Sequence, residues 1–260
     1  MLPAGVTDFF VTKYYDSGMD QLNFKYNGRD SVIIVPKHPL PGNPWVWRAE
    51  FFDAFPAVDV ALAEQGWHIG YHMVSNLYGC QASIEYLRDF QDMVEREYHL
   101  HRQPVMLGFS RGGLYAVNYA AAYPSRIGGL YLDAPALDIR SWPGGLGAGT
   151  GDERCWKECM ALYGLTEHSA PGFAQNPLDQ AERVAAAGIP VVAVAGLADD
   201  IVPYEENLKL FASRFRKAGG HIQVFGKPGV GHHPHSLTDP TPVVDFIRRY
   251  CAPEELRPRD

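Results

Sequence analysis

The chain has 260 residues, 46% of them hydrophobic, and a net charge of −7 at neutral pH. That length suits one large α/β domain, or such a domain with a small insertion. The acidic balance argues against a nucleic-acid partner, and the lack of any run of about eighteen apolar residues argues against a membrane span.

The N-terminal MLPAGVTDFF has neither the basic flank nor the apolar stretch of a secretory signal, so a cytoplasmic location is expected. Phe24 and Tyr26, before the turn pair Asn27-Gly28, predict an antiparallel edge hairpin. Ser31–Val35 is a predicted strand. Residues Trp47–Gln65 carry apolar side chains at helical spacing. Trp67–Tyr71 is a second strand, after a stop at Gly66. Ile84–Glu97 is a helix with a mixed charged face. Val105–Leu107, Ile127–Leu132, Val191–Ala195 and Ile222–Phe225 are further strands. Leu114–Ala122, Leu208–Lys217 and Val243–Tyr250 are helices. Continuous apolar strands separated by helices imply an α/β fold with a mostly parallel sheet covered on both faces.

One stretch breaks this rhythm. Between Leu132 and Val191 lie about sixty residues without a clear strand, long enough to read as a functional lid rather than a connection. Within it, Cys155–Tyr163 and Gln180–Ala187 look helical. The expected division is a core of residues 1–137 and 188–260, with a cap of residues 138–187 over the carboxyl ends of the strands. The four cysteines, Cys80, Cys155, Cys159 and Cys251, are too few for a disulfide framework in a chain of this length. Cys155 and Cys159 share a helix face, but only His168 is near enough in sequence to join them around zinc, so free thiols are expected.

The chemistry concentrates at Gly108-Phe109-Ser110-Arg111-Gly112. An apolar strand precedes it and a helix follows, so the chain must reverse within a few residues. Such a turn strains the serine backbone and lifts its hydroxyl to the strand tip, and the flanking glycines, 108 and 112, keep Cβ atoms out of the way. The amides that open the helix, that of Arg111 first, point where an oxyanion forms. A serine hydroxyl needs a base to take its proton and an acid to orient that base. The acid candidates after strands are Asp133, Asp199 and Asp200. The base candidates are His232, His233 and His235, in PGVGHHPH. A histidine-rich tract also raises the question of a metal, but no acidic or cysteine ligand neighbours it in sequence, and no metal or cofactor is expected.

The order of serine, aspartate and histidine, each after a strand, resembles the α/β-hydrolase superfamily across nearly the whole chain. The resemblance implies that Ser110 is the nucleophile, that Asp199 in GLADDIVP is the acid, and that His232 in GVGH is the base. It leaves Asp133 and Asp200 as rivals for the acid. Laid against an H-G-x-P-G pattern, His38 matches the histidine and the Leu40 amide becomes the second oxyanion donor beside Arg111, with Lys37 as the alternative. Pro39 replaces the glycine of that pattern. GFSRGGLYAVNYA, DIRSWPGG and PWVWRAEFF also look like bacterial carbohydrate-esterase-like members, which implies sugar-facing aromatics at Trp45, Tyr78 and Trp142.

The expected activity is therefore hydrolysis of carboxylic esters, on short acyl or aromatic esters of carbohydrates. The partner would be a small-molecule or oligosaccharide ester. A serine peptidase with the same triad is the alternative, with Asp152, Glu153 and Glu158 available to catch a substrate amine. A third reading is a receptor that binds a small molecule without turnover.

Overall fold

The computed structural model describes residues 2–258, so the outermost limits of the expected core, residue 1 and residues 259–260, lie outside them. In chain order the elements are β1 (Val6–Tyr14), β2 (Met19–Tyr26), β3 (Arg29–Val35), β4 (Trp45–Arg48), α1 (Ala57–Glu64), β5 (His68–His72), α2 (Gln81–Glu97), β6 (Val105–Phe109), α3 (Gly112–Ala122), β7 (Gly129–Asp133), α4 (Glu153–Tyr163), α5 (Ala181–Ala186), β8 (Val191–Gly196), α6 (Leu208–Lys217), β9 (Ile222–Lys227) and α7 (Thr241–Phe246). The strands form one sheet in the order β1-β2-β3-β5-β4-β6-β7-β8-β9. β1, β2, β3 and β5 pair antiparallel; β5, β4, β6, β7, β8 and β9 run parallel.

The β2–β3 hairpin turns at Asn27-Gly28, both at positive φ (49° and 79°). That backbone suits the right-handed twist of a tight hairpin and favours Asn and Gly. The apolar runs are continuous because successive residues enter opposite, equally buried cores. Met106, Leu130, Leu132, Val191 and Ala193 face a core closed by α2, α3, α5 and α6. Val105, Leu107, Tyr131, Val192 and Val194 face a second core closed by α1 and α7. In α2 the apolar positions Ile84, Leu87, Phe90, Met93 and Val94 form one buried stripe at helical spacing.

Two expectations need correction. Residues 45–48 form strand β4, and the helix expected over 47–65 shrinks to Ala57–Glu64. All four residues of WVWR are buried: Trp45 and Trp47 enter one core while Val46 enters the other. That alternation merged with the apolar positions of α1 when read as one period. The second correction concerns the cap. Leu178, Ala181, Val184 and Ala185 belong to the main core, so the expected limit of 187 runs too far along the chain. A separate small core joins the insertion to the rest: Ile139, Trp156, Cys159 and Ala170 pack on Tyr78, Leu114 and Val202. Among the described residues no helix is long and apolar enough to cross a membrane.

Candidate active site

Ser110 follows β6 directly and has φ of 48°, in the left-handed region that side chains disfavour. Local bonds hold it there. Its amide donates to the Asp133 carbonyl at 2.9 Å, and its own carbonyl accepts from the amides of Gly113 (3.0 Å) and Ala136 (2.9 Å). The bend needs bare glycines at 108 and 113. A Cβ on Gly108 would lie 2.9 Å from Ala116 Cβ, and one on Gly113 would lie 2.6 Å from Pro135 Cβ. Gly112, the glycine expected to matter, would meet nothing closer than Glu50 Cβ at 3.4 Å, an ordinary contact.

The partners come from loops 89 and 122 residues further along the chain but meet the serine at one edge of the sheet. Ser110 Oγ lies 2.9 Å from His232 Nε2. His232 Nδ1 lies 2.7 Å from Asp199 Oδ2. Asp199 Oδ1 accepts the amides of Ile201 and Val202, each at 2.9 Å, which fixes the carboxylate and leaves its second oxygen for the imidazole. The acid and base loops are stitched together: the Ala198 amide donates to the Val230 carbonyl and that of Leu197 to the Lys227 carbonyl. Gly196 permits this closeness, since a Cβ there would stand 2.1 Å from the Gly231 carbonyl oxygen. Asp199 and His232 are both buried, whereas Ser110 is half-buried.

A second Asp–His pair stands beside this one. His235 Nδ1 lies 2.8 Å from Asp133 Oδ1, and Asp133 Oδ2 accepts from the Ser236 amide and the Tyr131 hydroxyl, each at 2.8 Å. Burial and the Asp133 carboxylate push the Tyr131 hydroxyl well above its ordinary range. The rival acid thus has a histidine of its own. Asp200 is exposed, and among the described residues its side chain has no hydrogen bond or ion pair with His232 or His235, which are taken by Asp199 and Asp133.

The oxyanion assignment divides. The Arg111 amide opens α3 next to Ser110 and has no protein acceptor among the described residues. Leu40 is excluded, because its amide donates to the Gly66 carbonyl at 3.0 Å. The reason is topological: β3 runs antiparallel to its neighbour β5, so the loop from Pro36 to Pro44, Lys37 included, emerges at the amino edge of the parallel strands. The loop that reaches the carboxyl edge is the one after β4. There the Ala49 amide is taken by the Leu107 carbonyl, while the Glu50 amide, 3.7 Å from where a Cβ of Gly112 would lie, has no protein acceptor among the described residues.

Side chains fix this loop against the elbow. Arg111 Nε donates to Glu50 Oε2 at 3.1 Å and its Nη1 to Asn76 Oδ1 at 2.8 Å, while the Ser75 hydroxyl donates to Glu50 Oε1. Burial opposes the charge on Arg111, but the Glu50 carboxylate together with Tyr115, Tyr78 and Cys155 outweighs it and raises the guanidinium pKa. Beneath, Arg48 is fully buried, grips both oxygens of Asp59 at 2.7 Å, and sits 4.0 Å from the centre of the Phe109 ring. No motif in RAEFF flagged Glu50; only the strand assignment of β4 would have brought it forward.

The expected sugar-facing aromatics form no exposed platform, although the Tyr78 ring lies beside the elbow, 5.5 Å from the Arg111 guanidinium. Trp45 is fully buried at the start of β4, where its Nε1 donates to the His101 carbonyl and its ring occupies the space left by Gly70. Tyr78 is also fully buried, and its hydroxyl donates to Glu158 Oε2 at 2.8 Å. Trp142 is half-buried, 6.3 Å from the Tyr78 ring. The exposed aromatics at the site are others. Phe51 lies against the Arg111 guanidinium, and Phe55 stacks on His233 at 5.8 Å. A cavity of about 610 Å³ opens beside Gly128, Pro190 and His221, at the amino edge, away from this chemistry.

The strand order, the elbow and the chain order of Ser110, Asp199 and His232 decide the architecture. The chain has the α/β-hydrolase fold. The family described as "alpha/beta hydrolase fold" matches residues 38–150. Among solved structures, a puromycin-hydrolyzing peptidase of Mycobacterium tuberculosis aligns with 95% of this chain at TM-score 0.69 and 14% identity. A puromycin hydrolase aligns with 93% at TM-score 0.64 and 17% identity, and dipeptidyl peptidase 4 of Porphyromonas gingivalis with 86% at 0.59 and 14%. This chain spans only 42%, 38% and 32% of those three chains respectively. No curated protein matches the sequence.

Proposed function

We propose that this α/β hydrolase is a serine carboxylic-ester hydrolase that works through an acyl-enzyme. The observation that carries the reading is the unbroken line from Ser110 Oγ through both nitrogens of His232 to Asp199 Oδ2, at 2.9 and 2.7 Å. In this mechanism His232 Nε2 accepts the Ser110 proton as the hydroxyl oxygen attacks the ester carbonyl. The Asp199 carboxylate holds the Nδ1 proton and stabilises the imidazolium. The amides of Arg111 and Glu50 receive the oxyanion, with the Glu50 loop held by its side-chain bond to Arg111. His232 then returns the proton to the departing alcohol. Water repeats the sequence on the acyl-enzyme and releases the acid.

The substrate side of the proposal is a neutral ester with a short or aromatic acyl group, met by Phe51 and Phe55, whose alcohol is a carbohydrate or a similar polyol. Trp142 is the remaining stacking candidate for a sugar face. The second reading is a peptidase, favoured by what the similar structures are called. The acidic residues that would catch a substrate amine weigh against it. Asp152 caps α4, Glu153 pairs with Lys157, and Glu158 is shared between Tyr78 and Arg154. Comparing p-nitrophenyl acetate with an aminoacyl p-nitroanilide tests the choice. The proposal expects kcat/KM to favour the ester by far more than the intrinsic reactivity difference of the two substrates. Preference for the anilide would replace it with the peptidase.

A further inference from the structure

Beside the triad stands a cluster that the proposed reaction does not use in full. His232, His233 and His235 each bring a ring nitrogen within 4.8 Å of the other two. Their ring centroids are 4.9, 5.0 and 4.8 Å apart, in edge-on arrangements. We propose that these three imidazoles bind a divalent cation of the zinc class, and that the bound cation switches the Ser110 centre off.

The chemistry of the donor set supports this. Metal-binding histidines characteristically give their second nitrogen to a carboxylate, which fixes the tautomer and makes the first nitrogen a better ligand. Two of the three already have that backing: Asp199 on His232 Nδ1 and Asp133 on His235 Nδ1. With each Nδ1 proton held by a carboxylate, Nε2 carries the free lone pair. The two buried carboxylates also set negative charge behind a cation. The third ligand, His233, is exposed and has no carboxylate of its own, and a turn of its ring toward a metal gives up only the stacking on Phe55. Ligand nitrogens around tetrahedral zinc, with bonds of about 2.0–2.1 Å, stand about 3.3 Å apart. The cluster therefore needs a contraction of about 1.5 Å or less, within the reach of a rotamer change at His233. Imidazole donors favour zinc, copper and nickel over magnesium and calcium.

The cation and the reaction compete for one lone pair. His232 Nε2 is the atom 2.9 Å from Ser110 Oγ. Coordination there removes the acceptor of the serine proton, so binding and turnover exclude each other. This inhibitory half rests on the role proposed for Ser110, whereas the binding half does not. The sequence alone hid the site because neither carboxylate neighbours the histidines in the chain; Asp199 and Asp133 lie 33 and 102 residues from their partners.

The test separates the two halves. Zinc is titrated calorimetrically into the wild type, Ser110→Ala, His233→Asn and His235→Asn, with Mg²⁺ as the control and cobalt absorption as a second readout of coordination. Expected is a single site in both the wild type and Ser110→Ala, weakened at least about tenfold in each histidine variant, with no site for Mg²⁺. His233 is exposed, so His233→Asn tests the site without risk to folding. Absence of binding, or binding indifferent to His233→Asn, overturns the proposal. In the activity arm, zinc inhibits the wild type over the concentration range in which it binds, and EDTA restores turnover. The ratio of rates with and without zinc moves toward one in His233→Asn. Tight binding without inhibition overturns the switch and keeps the site, whereas an inactive wild type that still binds zinc counts against the role of Ser110 instead.

Discussion

Two Asp–His pairs lie side by side at the carboxyl edge of the sheet, and by their own geometry they are nearly the same. Asp199–His232 and Asp133–His235 are 2.7 and 2.8 Å long, and all four side chains are buried. Asp133 ends a parallel strand and Asp199 follows one, and each uses its second oxygen as an acceptor, Asp199 from two backbone amides and Asp133 from the Ser236 amide and the Tyr131 hydroxyl. They differ in what the far side of the imidazole meets. His232 faces Ser110, whereas His235 packs edge-on against its neighbours and the Phe55 ring. An Asp–His pair of this kind is scaffolding until a third group gives it a proton to move. Its place relative to the elbow, and not its own geometry, makes it catalytic machinery or loop support.

Substitution breaks the symmetry between the pairs. The largest effect is expected at Ser110→Ala and His232→Ala, each lowering kcat by about 10³-fold or more; Ser110→Ala leaves the melting temperature within a few degrees, whereas His232→Ala lowers it because Asp199 loses a buried partner. His235→Ala is expected to keep kcat within about tenfold and to lower the melting temperature, because Asp133 loses a buried partner. Steady-state kinetics paired with thermal denaturation checks both arms, and a dead His235→Ala beside a working His232→Ala would exchange the roles of the pairs. Asp199→Asn should cost about 10²–10⁴ in kcat, the range expected when the base loses its orienting charge. Gly196→Ala attacks the stitch that brings Asp199 and His232 together. Its Cβ would stand 2.1 Å from a carbonyl oxygen, so a stability loss of about 1–3 kcal/mol is expected by urea denaturation, along with reduced kcat.

Histidines without a carboxylate sharpen the comparison further. Burial drives His68 down to about 4 and His72 down to about 3; Arg29 adds to the effect at His72. Both are neutral in the fold and take up protons more readily once unfolded. Their folded values are depressed, so the stability they allow is complete above about pH 6.5 and is lost as pH falls from there toward 3–4. Each contributes a slope of up to about 1.4 kcal/mol per pH unit in that window. Urea midpoints between pH 7 and 4 should fall less steeply in His72→Asn than in the wild type. The smallest effect is expected at Arg111→Lys, which keeps the charge beside Glu50 but loses the fork that also reaches Asn76. A loss of a few-fold in kcat, with KM nearly unchanged, would place that side chain behind the oxyanion loop rather than on the substrate.

Much of this was legible in the chain because the signals were local. The parallel strands announced themselves as apolar runs, Asn27-Gly28 as a hairpin, and GFSRG as a strand–turn–helix with a serine at its tip. The resemblance of GLADDIVP and GVGH to the acid and base loops of α/β hydrolases points to Asp199 and His232, the two side chains that the structure sets in line with Ser110. The loop after β4, proposed to supply the second oxyanion donor, is not the one the sequence points to, because WVWR is too short and too aromatic to separate by periodicity from the helix that follows it. Without β4, the loop after β3 seemed to be the one facing Ser110. Trp45 and Tyr78 mislead for a related reason: large aromatics serve cores and ligand faces equally well, and only burial distinguishes the two uses. The Asp133–His235 pair joins residues 102 apart, a distance over which sequence spacing carries no information.

The central claim is that the proton acceptor at His232 makes the Ser110 hydroxyl reactive. Intact-protein mass spectrometry after treatment with a fluorophosphonate measures this directly, followed by peptide mapping of the adduct. The account predicts one adduct on the wild type, located at Ser110, that forms at a negligible rate in His232→Ala and at a near-normal rate in His235→Ala. A folded wild-type protein that stays unlabelled, or an adduct that forms on Ser110 equally fast without His232, would contradict it.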